Sequence, residues 1–184
     1  MSADAEKRSF PPSADASARV LILGSMPGEE SLRQRQYYAF PRNAFWRIMG
    51  ELFAFDPALA YEERLARLRA GGVALWDVLA ACRRRGSLDT AITDARPNDI
   101  AGLLRRCPKI AAIGCNGTAA FTLLRRFQPA LRERADLTIV RLPSTSPAAA
   151  GIAYAAKREA FRRFLEAAGA AVTPPSPPAP PPDR

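Results

Sequence analysis

Gly24-Ser25-Met26-Pro27-Gly28 comes directly after the apolar run Val20 to Leu23. Tyr37-Tyr38-Ala39-Phe40-Pro41-Arg42-Asn43-Ala44-Phe45-Trp46 follows soon after it. The first run is a backbone turn that can approach a ligand closely, because its glycines carry no Cβ. The second sets aromatic rings beside a single carboxamide, Asn43. Together they describe a pocket for a flat, hydrogen-bonding ring. The chain contains no histidine. Mechanisms that need an imidazole base or an imidazole metal ligand are therefore excluded.

Each signal also has a plainer meaning. Gly24–Gly28 matches neither the dinucleotide fingerprint nor the P-loop, since the lysine and the glycine spacing are missing. It fits a tight strand-to-helix turn as well as a ligand loop. Tyr38 and Phe40 can stack on a base or belong to the core. Asn43 directly precedes an amphipathic stretch, where a cap would contribute about 1 kcal/mol. Asn116, in Gly114-Cys115-Asn116-Gly117, can read a base edge through its amide or adopt a left-handed turn. In Ser144-Thr145-Ser146-Pro147 one hydroxyl caps a helix. The remaining hydroxyls and backbone N–H groups can bind phosphate at the positive helix end. Asp77 is the one acid at an expected strand end. Paired with an arginine it is structural, unpaired it is a base, and the structural role is preferred.

These residues need elements to position them. Arg19–Leu23 is a β-branched and aliphatic run that ends at glycine, and reads as a strand. Ala44–Phe53 puts Phe45, Ile48, Met49 and Leu52 on one face, and reads as a helix. Tyr61–Ala70 is a second helix. Val73–Leu79 is a buried strand or strand-to-turn, closed by Arg83-Arg84-Arg85-Gly86. Asn98–Arg106 is a short helix capped by Asn98 or Asp99. Lys109–Ile113 is a strand ending at Gly114, with a helix after it through Arg126. Leu137–Leu142 is a strand, and Ser146-Pro147 opens a long helix to about Ala168. Apolar strands alternating with helices imply an α/β fold, a parallel sheet covered on both faces. Ligands bind beyond the carboxyl ends of such strands. Here those ends are Gly24–Gly28, Trp76-Asp77, Gly114–Gly117 and Pro143–Pro147.

Flanking segments differ in composition. Residues 1–17 are polar, include Pro11-Pro12, and are expected to form a flexible arm. Residues 18–169 form one domain. Residues 170–184 are a proline-rich tail expected to be disordered, because proline lacks the N–H and fixes φ. The formal net charge is +9, carried by 24 arginines and 3 lysines. Such an excess favours an anionic partner, nucleic acid first, although a solvated basic surface has the same composition. Arginine forks match phosphates bidentately and stack on bases. The three cysteines, Cys82, Cys107 and Cys115, include no C-x-x-C pair, so neither a disulfide framework nor a four-cysteine cluster is expected. No membrane span or signal peptide is evident. A cytoplasmic, nucleoid-associated, monomeric protein without metal or cofactor is expected.

The blocks around residues 21–28, 37–46, 74–79 and 86–89, together with Asn98-Asp99-Ile100, Gly114–Gly117 and Leu142–Pro147, recur in a fixed order. In that order they resemble the uracil-DNA glycosylase superfamily, and most of all its hypoxanthine-DNA (deoxyinosine) glycosylase branch, family 6. The resemblance spans about residues 19–167. It implies a three-layer α/β/α fold with a central four-stranded parallel sheet. It also implies an enzyme that removes a deaminated base from double- or single-stranded DNA. The superfamily's first motif usually carries Asp or Asn before the proline, and Met26 stands there. The hypoxanthine branch shares that departure and uses the asparagine of the later Pro-x-Asn-x-Phe-Trp block, which is Asn43.

The same resemblance places the base-stacking aromatic at Tyr38 and a base-contacting asparagine at Asn116. Gly24, Ser25, Met26 and Pro27 fall in the base-binding loop. Ser144, Thr145, Ser146, Pro147 and Ala148 fall in the DNA-binding loop, where relatives often carry His or Asn. Arg83, Arg84 and Arg85 are candidate phosphate contacts. Asn43 cannot take a proton near pH 7, so its oxygen is expected to orient water against a cationic sugar. No lysine falls in these blocks, so simple hydrolysis to an abasic site is expected. Uracil, especially opposite guanine, is the rival substrate. A non-catalytic DNA-binding module of this fold, or an unrelated nucleotide-binding or hydrolytic α/β protein, are the rival classes.

Overall fold

A computed structural model describes residues 6–173. In chain order its elements are β1 (Glu6–Arg8), β2 (Val20–Gly24), α1 (Glu29–Gln34), α2 (Phe45–Phe53), α3 (Tyr61–Ala70), β3 (Val73–Asp77), β4 (Leu79–Arg83) and β5 (Thr93–Pro97). They continue with α4 (Ile100–Arg106), β6 (Ala112–Asn116), α5 (Thr118–Phe127), β7 (Thr138–Leu142) and α6 (Tyr154–Ala167).

Four strands build the central sheet in the order β3-β2-β6-β7, all parallel. β2 is buried along its whole length, as a strand covered on both faces must be. Its register sets Val20 beside Val73 and Ala112, and Leu23 beside Trp76 and Cys115. α3 packs on β3, α5 on β6 and β7, α6 on β7, and α2 against α3 and α6. Phe45, Ile48, Met49 and Phe161 are fully buried between these layers. The result is the three-layer α/β/α arrangement. Its strand order reverses between β2 and β6, the kind of crevice where open α/β sheets bind ligands.

Three features depart from the sequence expectations. First, the N-terminal arm is docked from residue 6 onward. β1 pairs antiparallel with β4, and Ser13 exchanges two backbone hydrogen bonds with Leu75, both 2.9 Å. Trp76 Nε1 donates to the Phe10 carbonyl at 2.9 Å, and Tyr37 Oη to the Pro11 carbonyl at 3.0 Å. Composition shows little hydrophobicity here, but these contacts run through the backbone, which composition does not report. Second, β1, β4 and β5 form a small antiparallel sheet, so Arg83 ends a strand instead of opening a loop. Third, the long helix from Ser146 is broken. Pro147–Ala149 makes a single 3-10 turn, and α6 starts only at Tyr154. Ser146 Oγ accepts the Ala148 N–H at 3.3 Å and caps that turn, while exposed Gly151 interrupts what would follow.

At the C-terminal end, Ala171 N–H donates to Gly71 O at 3.0 Å and Thr173 N–H to Leu52 O at 2.8 Å. The start of the expected tail is thus packed on α2 and α3. Residues 174–184 lie outside the described residues. No helix among the described residues is long and apolar enough to cross a membrane.

Candidate active site

Every strand end singled out from the sequence opens on one cavity of about 320 Å³, a size typical of small-ligand pockets. Its walls come from Gly24–Ser31 after β2, Tyr37, Tyr38, Phe40 and Asn43 before α2, Asp77 at the end of β3, Ser87–Asp89, Asn116 at the end of β6, and Ser144–Ala148 after β7.

The β2 loop is fixed by its neighbours. The Gly24 and Ser25 carbonyls accept N–H groups of Val78 and Leu79 at 2.8 and 3.1 Å. A Cβ on Gly24 would stand 2.5 Å from Asp77 Oδ1 and 3.5 Å from Tyr38 Oη. Glycine is therefore required for the carboxyl to approach the strand end, while the phenol would meet a Cβ only at ordinary contact distance. Met26 and Pro27 are buried, and Met26 gives the cavity an apolar wall.

Asn43 lines the cavity and is half-buried. Its Oδ1 also accepts the Phe45 N–H at 3.0 Å. The N-cap of α2 is Ala44, so Asn43 stands one residue before it, accepting the first helical N–H while it lines the cavity. One lone pair of the oxygen remains for another donor.

Tyr38 has φ 56°, a left-handed backbone that costs a non-glycine residue on the order of 1 kcal/mol or more. Its ring stacks on Phe45, with centroids 3.9 Å apart and 24° between planes. Only its other face is left for a flat ligand. The buried hydroxyl has no hydrogen-bond partner among the described residues, and burial raises its pKa. Phe40, 40% exposed, lines the same cavity.

Asn116 lines the cavity and also binds the loop after β7. Its Nδ2 donates to Thr145 Oγ1 and its Oδ1 accepts the Thr145 N–H, both at 2.9 Å. Thr145 takes one N–H and one lone pair of the amide, so Asn116 holds the β7 loop while a second N–H and a second lone pair remain at the cavity wall. Thr145 is itself only 1% exposed, and its carbonyl accepts the Ala44 N–H at 3.0 Å. It ties β6, the β7 loop and the Asn43 segment together, which corrects its assignment to DNA. Ser144 and Ser146 are half-buried, Pro147 likewise, and Ala148 is exposed.

The arginine run divides as well. Arg83 is exposed and pairs with Asp94 at 3.4 Å, and Arg85 is exposed. Arg84 is buried; it donates to the Pro27 carbonyl and pairs with Asp89 at 3.4 Å. Asp89 also accepts from Ser25 Oγ at 2.6 Å. Arg84 thus clamps the β4–β5 connection to the loop after β2 and is withdrawn from phosphate contact. Arg84 and Arg85 follow the end of β4, and three identical residues gave no sign that the middle one alone turns inward. Arg85→Ala is expected to lower the slope of log affinity against log salt by about one on DNA. Arg84→Ala is expected to leave that slope unchanged and to lower unfolding stability by about 1–3 kcal/mol, since the Pro27 carbonyl loses its donor. Anisotropy titrations at several salt concentrations and a urea melt check both.

Sequence reasoning weighed Asp77 as structural or a base and preferred the structural role. Asp77 is 4% exposed and lines the cavity. Ser9 Oγ donates to its Oδ2 at 2.8 Å. Burial pushes its pKa up to about 7, against the opposing pull of Ser9 and Arg84. The signal was present in its status as the one acid at a strand end, but Ser9 lay in a segment read as an arm. All three cysteines are buried and free. Among the described residues no cluster of His, Cys, Asp or Glu could hold a metal ion.

A doubly wound sheet with an aromatic, carboxamide-bearing cavity at its strand ends defines an α/β protein with a ligand-sized cavity at its switch point. The model of the uracil DNA glycosylase superfamily matches residues 11–169. Two proteins named hypoxanthine DNA glycosylase are similar. That of Methanosarcina acetivorans is 41% identical over 143 residues, 77% of this chain and 87% of the relative. That of Methanosarcina barkeri is 36% identical over 141 residues, 76% and 87%. A solution NMR structure of a uracil DNA glycosylase candidate from Methanosarcina acetivorans superposes with TM-score 0.72 at 38% identity, covering 88% of this chain and 99% of that one. The chain belongs to the uracil DNA glycosylase superfamily.

Proposed function

We propose that this enzyme is a monofunctional DNA glycosylase of base excision repair that extrudes a deaminated base, hypoxanthine foremost, and hydrolyses its N-glycosyl bond to leave an abasic site. The observation that carries the reading is Asn43, held by Phe45 N–H at the cavity wall with one oxygen lone pair left over. Relatives named hypoxanthine DNA glycosylase favour hypoxanthine over uracil. Buried Met26 supports that choice, because an apolar wall tolerates the larger purine.

Extruding a nucleotide costs about a few kcal/mol, less at a mismatch. Tyr38 or Phe40 stacks on the base, and Arg83, Arg85 and the Ser144–Ala148 loop hold the backbone. C–N cleavage then builds positive charge on the sugar. The Asn43 oxygen faces that charge and orients the attacking water, while fixed dipoles meet the departing ring. The protein acts as a monomer on cytoplasmic, nucleoid DNA.

The test is a gel assay on duplexes carrying hypoxanthine, uracil, xanthine or thymine opposite each base, with and without alkali. Alkali-dependent cleavage at hypoxanthine is expected. Among the described residues no lysine lines the cavity, so borohydride is expected to trap no covalent adduct. DNA retention without base release would favour a binding module, and a trapped adduct would refute the hydrolytic route.

A further inference from the structure

The geometry points to Asp77, in its neutral carboxylic form, as the acid that gives a proton to the departing base, with Ser9 of the docked arm as the residue that positions it. The inference rests on the glycosylase reading and adds a second catalytic group to it.

Four observations converge. Asp77 closes β3 at the cavity floor, beside the one strand end, Gly24, where a Cβ would collide with its Oδ1. Its two oxygens differ: Oδ2 accepts from Ser9 Oγ at 2.8 Å, while Oδ1 has no hydrogen-bond partner among the described residues. No base stands ion-paired to it, since Arg84 is committed to Pro27 and Asp89. Its burial favours the neutral form up to a pH of about 7, the range in which an acid works best. The other groups that bear on its charge are Arg84 and Asp89, and the Tyr37 and Tyr38 phenols, whose own ionisation is opposed by Asp77.

The step balances. The C1′–N9 bond breaks and its electron pair passes to the purine. The Asp77 proton moves to a basic ring nitrogen of that purine, so the base leaves neutral. Water adds to C1′ and gives up one proton, which restores neutral Asp77. Ionised at the start, Asp77 would instead repel the electron-rich leaving ring.

Single-turnover release from a deoxyinosine duplex between pH 5.5 and 9 tests this for the wild type, Asp77→Asn and Ser9→Ala, with folding checked by circular dichroism melts. The wild-type rate is expected to fall as pH rises through about 7, because the neutral form is lost. Asp77→Asn is expected to release hypoxanthine on the order of a hundredfold more slowly and without that limb. Ser9→Ala removes a hydrogen bond that favours the carboxylate, so its limb is expected to move to higher pH, a shift that loss of packing alone does not produce. An N7-methylated deoxyinosine already bears the positive charge that the acid would supply. On it, Asp77→Asn is expected to match the wild type. An active wild type with an unaltered Asp77→Asn rate and profile overturns the inference and leaves the glycosylase reading intact. So does an equal loss on the N7-methylated substrate. A wild type that releases no base from deoxyinosine overturns the reading beneath it.

Discussion

Replacing Asn43 with alanine is expected to slow single-turnover base release about a hundredfold or more, as loss of a transition-state dipole does, while DNA affinity persists. The reasoning rests on two contacts of one carboxamide. Its oxygen holds the Phe45 N–H at 3.0 Å at the start of α2, and the side chain lines the cavity. The first contact costs about 1 kcal/mol of stability when lost, which leaves a folded protein. The second removes the group that faces the sugar cation. Asn43→Asp separates them, since a carboxylate still accepts the Phe45 N–H and adds negative charge toward the cation. Its rate is expected to match or exceed the wild type's, because a full negative charge faces the developing cation. Were capping its sole role, both variants would release base at the wild-type rate once folded.

Gly24→Ala is expected to cut base release by about 10- to 100-fold, the kinetic equivalent of the 1–3 kcal/mol that overpacking costs. The new methyl would stand 2.5 Å from Asp77 Oδ1. Neither partner yields easily. The Gly24 carbonyl is held by Val78 N–H at 2.8 Å, and Asp77 Oδ2 by Ser9 at 2.8 Å. Relief comes by rotating the carboxyl into the cavity, where it takes space that the proposed extruded base would fill. Steady-state and single-turnover rates on a deoxyinosine duplex measure the loss. Wild-type rates from Gly24→Ala would show that the base sits elsewhere.

The fold was largely legible because its strands are written in continuous apolar runs. Val20–Gly24 and Val73–Asp77 differ from the expected bounds by a residue or two, and Tyr61–Ala70 matches them. The cavity followed, because strand ends in a parallel sheet gather on one side. What stayed hidden depended on hydrogen bonds between distant residues. Asn116 looked like a free amide, yet it also bonds Thr145 through one N–H and one lone pair. Arg84 looked like its neighbours, yet the Pro27 carbonyl draws it inward. Ser9 sat in a polar, proline-bearing stretch whose pairing with β4 and β3 is made by backbone groups that every residue owns. The break after Pro147–Ala149 arises where exposed Gly151 meets a capped turn, and an alanine-rich run conceals it.

The most direct measurement is mass spectrometry of the base released when the purified protein meets a duplex with a single deoxyinosine. Free hypoxanthine in a one-to-one ratio with alkali-labile sites, at a rate that collapses in Asn43→Ala, is the expected result. Intact deoxyinosine in the strand, or full release by the alanine variant, would contradict a water-activating carboxamide in this cavity.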